Sequence, residues 1–125
     1  MKYIATDKAP KAVGPYTQAI VSSGFIFCSG QIGLDPKTNE LVEGIDAQTH
    51  QVLKNLSEVL KAGNSSLEHV VKTTVYLADI DDYVKMNETY GQYFSNHKPA
   101  RAAFAVADLP KGALIEIEVV AEVIQ

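Results

Sequence analysis

Tryptophan is absent from this 125-residue chain, cysteine occurs once, and no stretch is basic. The lone Cys28 has no partner for an internal disulfide, so the fold must rest on its packed core, as suits a reducing cytoplasmic setting. Lysine and arginine together number 11 against 15 acids, a net charge of −4, and the cations are scattered. Nucleic acid is disfavoured as the main partner, because such binding depends on clustered Lys and Arg. Apolar runs extend over only a few residues, so no membrane span is expected. Met1–Lys8 has neither the apolar centre nor the cleavage pattern of a secretory signal. Also missing are a Walker loop, a G-x-G-x-x-G turn and a G-x-S-x-G elbow. His50, His69 and His97 lack ligand spacing with Cys28 or the carboxylates, so no zinc site is expected.

What is present is globular. Hydrophobic residues make up 46% and charged residues 21%, enough for a real core, and the length fits a single domain over residues 1–125. Short strands are expected at 3–6, 17–21 and 25–32, with the Gly30 interruption in the third marking a bulge or a close backbone approach. Asp46 reads as an N-cap, and Val52, Leu53, Leu56, Val59 and Leu60 form one stripe of an amphipathic helix closed by a left-handed Gly63. A strand at 70–77 places Val71, Thr73, Val75 and Leu77 on one face. A second helix, capped by Asp81 or Asp82, turns Tyr83, Met86, Tyr90 and Phe94 inward. Two strands end the chain. In 101–106 the even positions Ala102, Phe104 and Val106 are read as the core face. In 114–124 the odd positions Ile115, Ile117, Val119, Ala121 and Val123 are apolar, opposite Glu116, Glu118 and Glu122. This order predicts an α+β two-layer sandwich with both helices on one sheet face. The other face would hold Arg101, Ala103, Glu116 and Glu118 together with Thr74, Tyr76, Leu114, Val120 and Ile124. That is too apolar for simple solvation, so oligomerisation through it is expected.

Few residues stand out chemically. Arg101, flanked by alanines, is either a salt-bridge partner of a nearby glutamate or a bidentate clamp for a substrate carboxylate. Glu116, Glu118 and Glu122 are solvated or paired, unless a partly dry site lets one hold water or move a proton. Asn87 places an amide on the inward stripe of its helix, where it must tie backbone together or support a site. Tyr16, at the exit of a Pro/Gly-rich loop, is a packing anchor or a cleft residue, and Cys28 reads as a small hydrophobe.

The run from Pro99 through Arg101 to Leu109-Pro110, followed by Ile115-Glu116-Ile117-Glu118, resembles the C-terminal signature of the RidA (YjgF) family, the reactive-intermediate imine deaminases. Four more segments match in order: Ala12–Ala19, Phe27–Ile32, Gln48–Leu56 and Val71–Tyr76, with Asn87–Tyr90 besides. The resemblance implies a chorismate-mutase-like (bacillus-type) fold with one mixed sheet, and a cytoplasmic homotrimer with clefts between subunits. It implies hydrolysis of 2-imino acids, released by pyridoxal-phosphate dehydratases, to 2-oxo acids and ammonia without metal or cofactor. Carried onto this chain, Arg101 corresponds to the carboxylate-binding arginine and Glu116 to the water-positioning glutamate. Gly30 offers backbone to the ligand, while Tyr16 and Asn87 line the cleft. Ala103 stands where many members have cysteine, so only its backbone carbonyl could serve. A non-catalytic metabolite-binding or chaperone-like trimer is the alternative, and a ribonuclease or translation inhibitor a weaker one.

Overall fold

The computed structural model describes residues 1–124. Alternation and helical stripes in the chain become β1 (Lys2–Ile4), β2 (Ala19–Ser22), β3 (Phe25–Ile32), α1 (Ile45–Ala62), β4 (Val70–Leu77), α2 (Tyr83–Tyr93), β5 (Ala100–Ala105) and β6 (Ile115–Glu122). The strands form one six-stranded sheet in the order β1-β2-β3-β6-β4-β5. Every pair is antiparallel except β4 and β5. A parallel neighbour requires a crossover rather than a hairpin, and α2 lies in that connection. The sheet is therefore mixed, and both helices cover one of its faces.

The strictest alternation in the chain lies near the middle of the sheet. In β6, Ile115, Ile117, Val119 and Ala121 are buried against the helices, while Glu116 and Glu118 emerge on the opposite, open face. Val52, Leu53, Leu56, Val59 and Leu60 of α1 have no exposed surface and meet Ile26, Val75 and Ile117 in the same core cluster. Burying side chains of this size stabilises the fold by about 1.5–3 kcal/mol each. The helix begins two residues earlier than the sequence suggests, behind Gly44, and Asp46 falls in its first turn instead of capping it. An acid there still favours the helix through its dipole. Gly63 does close the helix, but at φ −96° it is not left-handed, and Asn64 at φ 60° takes that conformation. Glycine at 63 serves packing, since a Cβ there would run into the end of the Ile26 side chain, which would have to shift.

Two strand faces differ from the expectation. In β4 a bulge between Val70 and Lys72 turns Val70 into the core and leaves Val71 more than one-third exposed. In β5 the assignment reverses. The parallel register pairs Thr73 with Arg101 and Val75 with Ala103, and Thr73 and Val75 are fully buried under the helices. Arg101 and Ala103 therefore face the helix layer. Ala102 and Phe104 lie on the open face, where Phe104 stands 45% exposed beside Tyr76. Arg101 and Ala103 do not share a face with Glu116 and Glu118.

The remaining shifts are local. Strands expected at 3–6 and 17–21 run at Lys2–Ile4 and Ala19–Ser22. Asp82 precedes α2 without a side-chain cap, while the Asp79 carboxylate accepts from Asp81 N–H in the turn before it. Among the described residues no helix is long and apolar enough to cross a membrane.

Candidate active site

The singled-out residues collect in two hollows on opposite sides of the sheet. The first, with a volume of about 540 Å³, is lined by Tyr16, Gly30, Gln31 and Glu116, with Lys11 and Lys111 also at its wall. It is built by β3, β6 and the loop that precedes β2. That loop is held by one buried amide. Gln18 accepts from Thr6 N–H at 2.7 Å and donates to the carbonyls of Thr6 at 3.1 Å and Pro10 at 2.7 Å. The register of β3 on β6 slips between Cys28 and Gln31, which is the bulge anticipated at Gly30. Ser29 fixes it by donating from Oγ to Thr17 carbonyl at 2.6 Å.

Gly30 owes its identity to Glu116. A Cβ on residue 30 would lie 2.8 Å from the Glu116 Cδ and closer still to Oε2, so the carboxylate occupies the space a side chain would fill. Among the described residues Glu116 has no hydrogen-bonding or ion-pair partner for that carboxylate. Burial, reinforced by the nearby Glu118 charge, raises its pKa above the ordinary carboxylate value. A half-buried, proton-hungry carboxylate facing an open hollow can accept a proton from water and give it back.

The second hollow, about 300 Å³, lies under the edge of β5 and is lined by Asn87, Tyr90, Gly91, Phe94, Lys98, Pro99 and Arg101. Arg101 donates from Nη1 to Asn87 Oδ1 at 2.7 Å and from Nη2 to the Tyr83 hydroxyl at 2.9 Å. Its Cζ lies 4.8 Å from the Tyr90 ring centroid and 5.6 Å from that of Tyr83. The Tyr90 hydroxyl is anchored in turn on Thr73 Oγ1 at 2.8 Å. All of these partners are neutral. The one ion pair among the described residues joins Lys61 and Glu58, so the glutamate bridge entertained for Arg101 does not form. A guanidinium has five N–H donors in a fixed fork, and neutral acceptors orient this one without cancelling its charge. Asn87, the odd amide of α2, performs that orientation.

Tyr16, Gly30 and Glu116 thus share one hollow, Arg101 and Asn87 share the other, and Ala103 lies two residues beyond Arg101 on the helix side. The sequence marks Tyr83 and Tyr90 only as packing positions. The run Tyr83, Asn87, Tyr90, an amide between two phenols on one helical stripe, is the signal for an arginine cradle.

An open mixed sheet backed by two helices, with an uncompensated arginine at its edge and a free glutamate at its centre, defines an α+β protein equipped to hold a small anion. The family model described as Endoribonuclease L-PSP matches residues 6–123. The chain is 54% identical over 119 residues to a RutC family protein of Pyrococcus horikoshii, covering 94% of each. It is 53% identical over 121 residues to the human 2-iminobutanoate/2-iminopropanoate deaminase, covering 96% of this chain and 88% of that one. The crystal structure of RidA from an Antarctic Psychrobacter superposes with a TM-score of 0.95 at 45% identity, covering 98% of this chain and all of that one. The chain belongs to the RidA/YjgF family.

Proposed function

We propose that this protein hydrolyses 2-imino acids to 2-oxo acids and ammonia, in clefts where the Arg101 hollow of one copy meets the Glu116 hollow of another. The observation that carries this reading is the Arg101 guanidinium, oriented by Asn87 and Tyr83 yet facing no carboxylate. That is a receptor awaiting an anion, and a 2-imino acid supplies its carboxylate. The names of the human and other mammalian relatives, about half identical over nearly the whole chain, support the same chemistry.

The reaction needs little from the protein. With the substrate carboxylate on Arg101, the imine carbon faces water held by Glu116 and the backbone carbonyl near Ala103. Starting from the protonated imine, Glu116 accepts one proton as the water oxygen bonds to carbon, giving a carbinolamine. It returns that proton to nitrogen and takes up the hydroxyl proton as the C–N bond breaks and the C=O forms; the departing ammonia carries this last proton away as ammonium, leaving the 2-oxo acid. Arg101 and Asn87 bind, Glu116 moves the proton, and Gly30 keeps space for it. Tyr16 closes the wall of the Glu116 hollow.

Two copies are needed because one chain places Arg101 and Glu116 on opposite faces. The open face also carries Tyr3, Phe27 and Phe104, which are 72%, 48% and 45% exposed, an apolar spread suited to a second copy. A cyclic homotrimer, closing each Arg101 hollow on the next copy's open face, satisfies every such surface.

The test is a coupled assay in which threonine dehydratase releases 2-iminobutanoate and 2-oxobutanoate is followed. Arg101→Ala and Glu116→Ala are each expected to remove the acceleration. Co-folded mixtures of the two variants should regain roughly a quarter of wild-type activity by random assortment of subunits. An Arg101→Ala protein with full activity would overturn the reading. Mixtures that stay inactive while co-assembling would overturn the shared cleft.

A further inference from the structure

We infer that Tyr76 and Glu118 form a positioning pair for Glu116, fixing a negative charge beside the carboxylate that carries the proton. The inference rests on the deaminase reading above and deepens it.

The geometry spans three neighbouring strands. Glu116 and Glu118 are two residues apart on the open face of β6, a separation of about 7 Å along a strand. Tyr76 on β4 is the direct cross-strand partner of Glu116. Its hydroxyl does not turn to that partner but runs diagonally, donating to Glu118 Oε1. The Tyr76 ring is braced by Phe104 of β5 in an edge-to-face contact, with centroids 5.4 Å apart and planes at 88°. A braced ring sets where its hydroxyl sits, and the hydroxyl sets where the Glu118 carboxylate sits. The bond to Glu118, with burial second, pushes the Tyr76 phenol up to about 12, so it stays a donor throughout the neutral range.

The other charged or titratable groups around Glu116 come from elsewhere. The loop before β2 brings Lys11 and Tyr16, and the turn at Pro110–Gly112 brings Lys111. Neither lysine pairs with Glu116. From β3 it meets Gly30, Gln31 and Ile32, none of which titrates. Glu118 is thus the charge that the sheet itself holds beside Glu116, and Tyr76 is what holds it there. Repulsion from a fixed neighbour makes Glu116 a stronger base, better able to take a proton from the attacking water and keep it until the nitrogen needs it.

The test reads Glu116 directly and through the rate. In the assembled protein labelled with carboxyl-¹³C glutamate, the Glu116 signal, assigned by its loss in Glu116→Gln, is titrated alongside the pH profile of kcat. Glu118→Gln is expected to lower the Glu116 midpoint, and the acid limb of kcat with it, by roughly half a pH unit or more. Tyr76→Phe keeps the ring and removes the hydroxyl. It should move both in the same direction, because a released Glu118 can swing away from Glu116. The double variant should match Glu118→Gln alone. A Glu116 midpoint unmoved in both single variants would overturn the pair, whatever the activity. The titration needs no turnover, so a protein inactive on imines would refute the deaminase reading without obscuring this result.

Discussion

At residue 30 the chain has glycine because residue 116 has a carboxylate. The backbone at Gly30 is not in the left-handed region, so conformational freedom does not explain the choice, whereas the collision of a Cβ with Glu116 does. Gly30→Ala is therefore expected to fold, and to force Glu116 out of its hollow. In the proposed mechanism Glu116 serves the water and not the substrate carboxylate, so kcat should fall by about tenfold to a hundredfold, the range for misplacing a reacting group. KM should change little. Steady-state kinetics on 2-iminobutanoate would show the split, and a loss confined to KM would contradict the placement of Glu116. Arg101 shows the complementary economy. Its partners were chosen by shape and neutrality, an amide and a phenol, so the charge is aimed and left unspent.

Elements differ in how openly the sequence displays them. The alternation of β6 and the stripe of α1 are legible because each carries large apolar side chains at every core position. The face of β5 is not legible. Four of its six residues are alanine, which fits either side of a sheet, and Phe104 looked like a core residue. What decides is the parallel register with β4, a pairing between segments separated by the whole of α2. Arg101 therefore stands out in the sequence as a candidate while its side of the sheet is hidden. The loop before β2 is similar: its prolines and glycines announce a loop, but nothing local says that Gln18 holds it. Removing that amide by Gln18→Ala leaves the Thr6 N–H and the Pro10 carbonyl without their partner. A stability loss of about 1–3 kcal/mol is expected in urea unfolding. Tyr16 should lose its fixed position as well, and a variant as stable as the parent would show the loop to be held elsewhere.

For the whole molecule, the open face poses the question that a single chain leaves unanswered. Its aromatic residues spread from β1 across β3 to β5, at Tyr3, Phe27 and Phe104, around the Glu118–Tyr76 bond. Phe27→Glu puts a charge in the middle of that surface without touching the helix-side core. Sedimentation at micromolar concentration should then show a shift from the proposed trimer towards monomer, with deaminase activity lost in proportion. A Phe27→Glu protein that stayed assembled would place the contact elsewhere, and a wild-type monomer would remove it.

The β4–β5 register has a last consequence. No hinge or rotamer within one chain can bring a group on the helix side of a sheet to one on its open side. With the shared cleft proposed above, specific activity should therefore not be a constant of the protein. It should fall on dilution as copies part, and recover with added inactive Glu116→Ala subunits, which still lend their Arg101. In such a design the enzyme's own concentration acts as a second substrate.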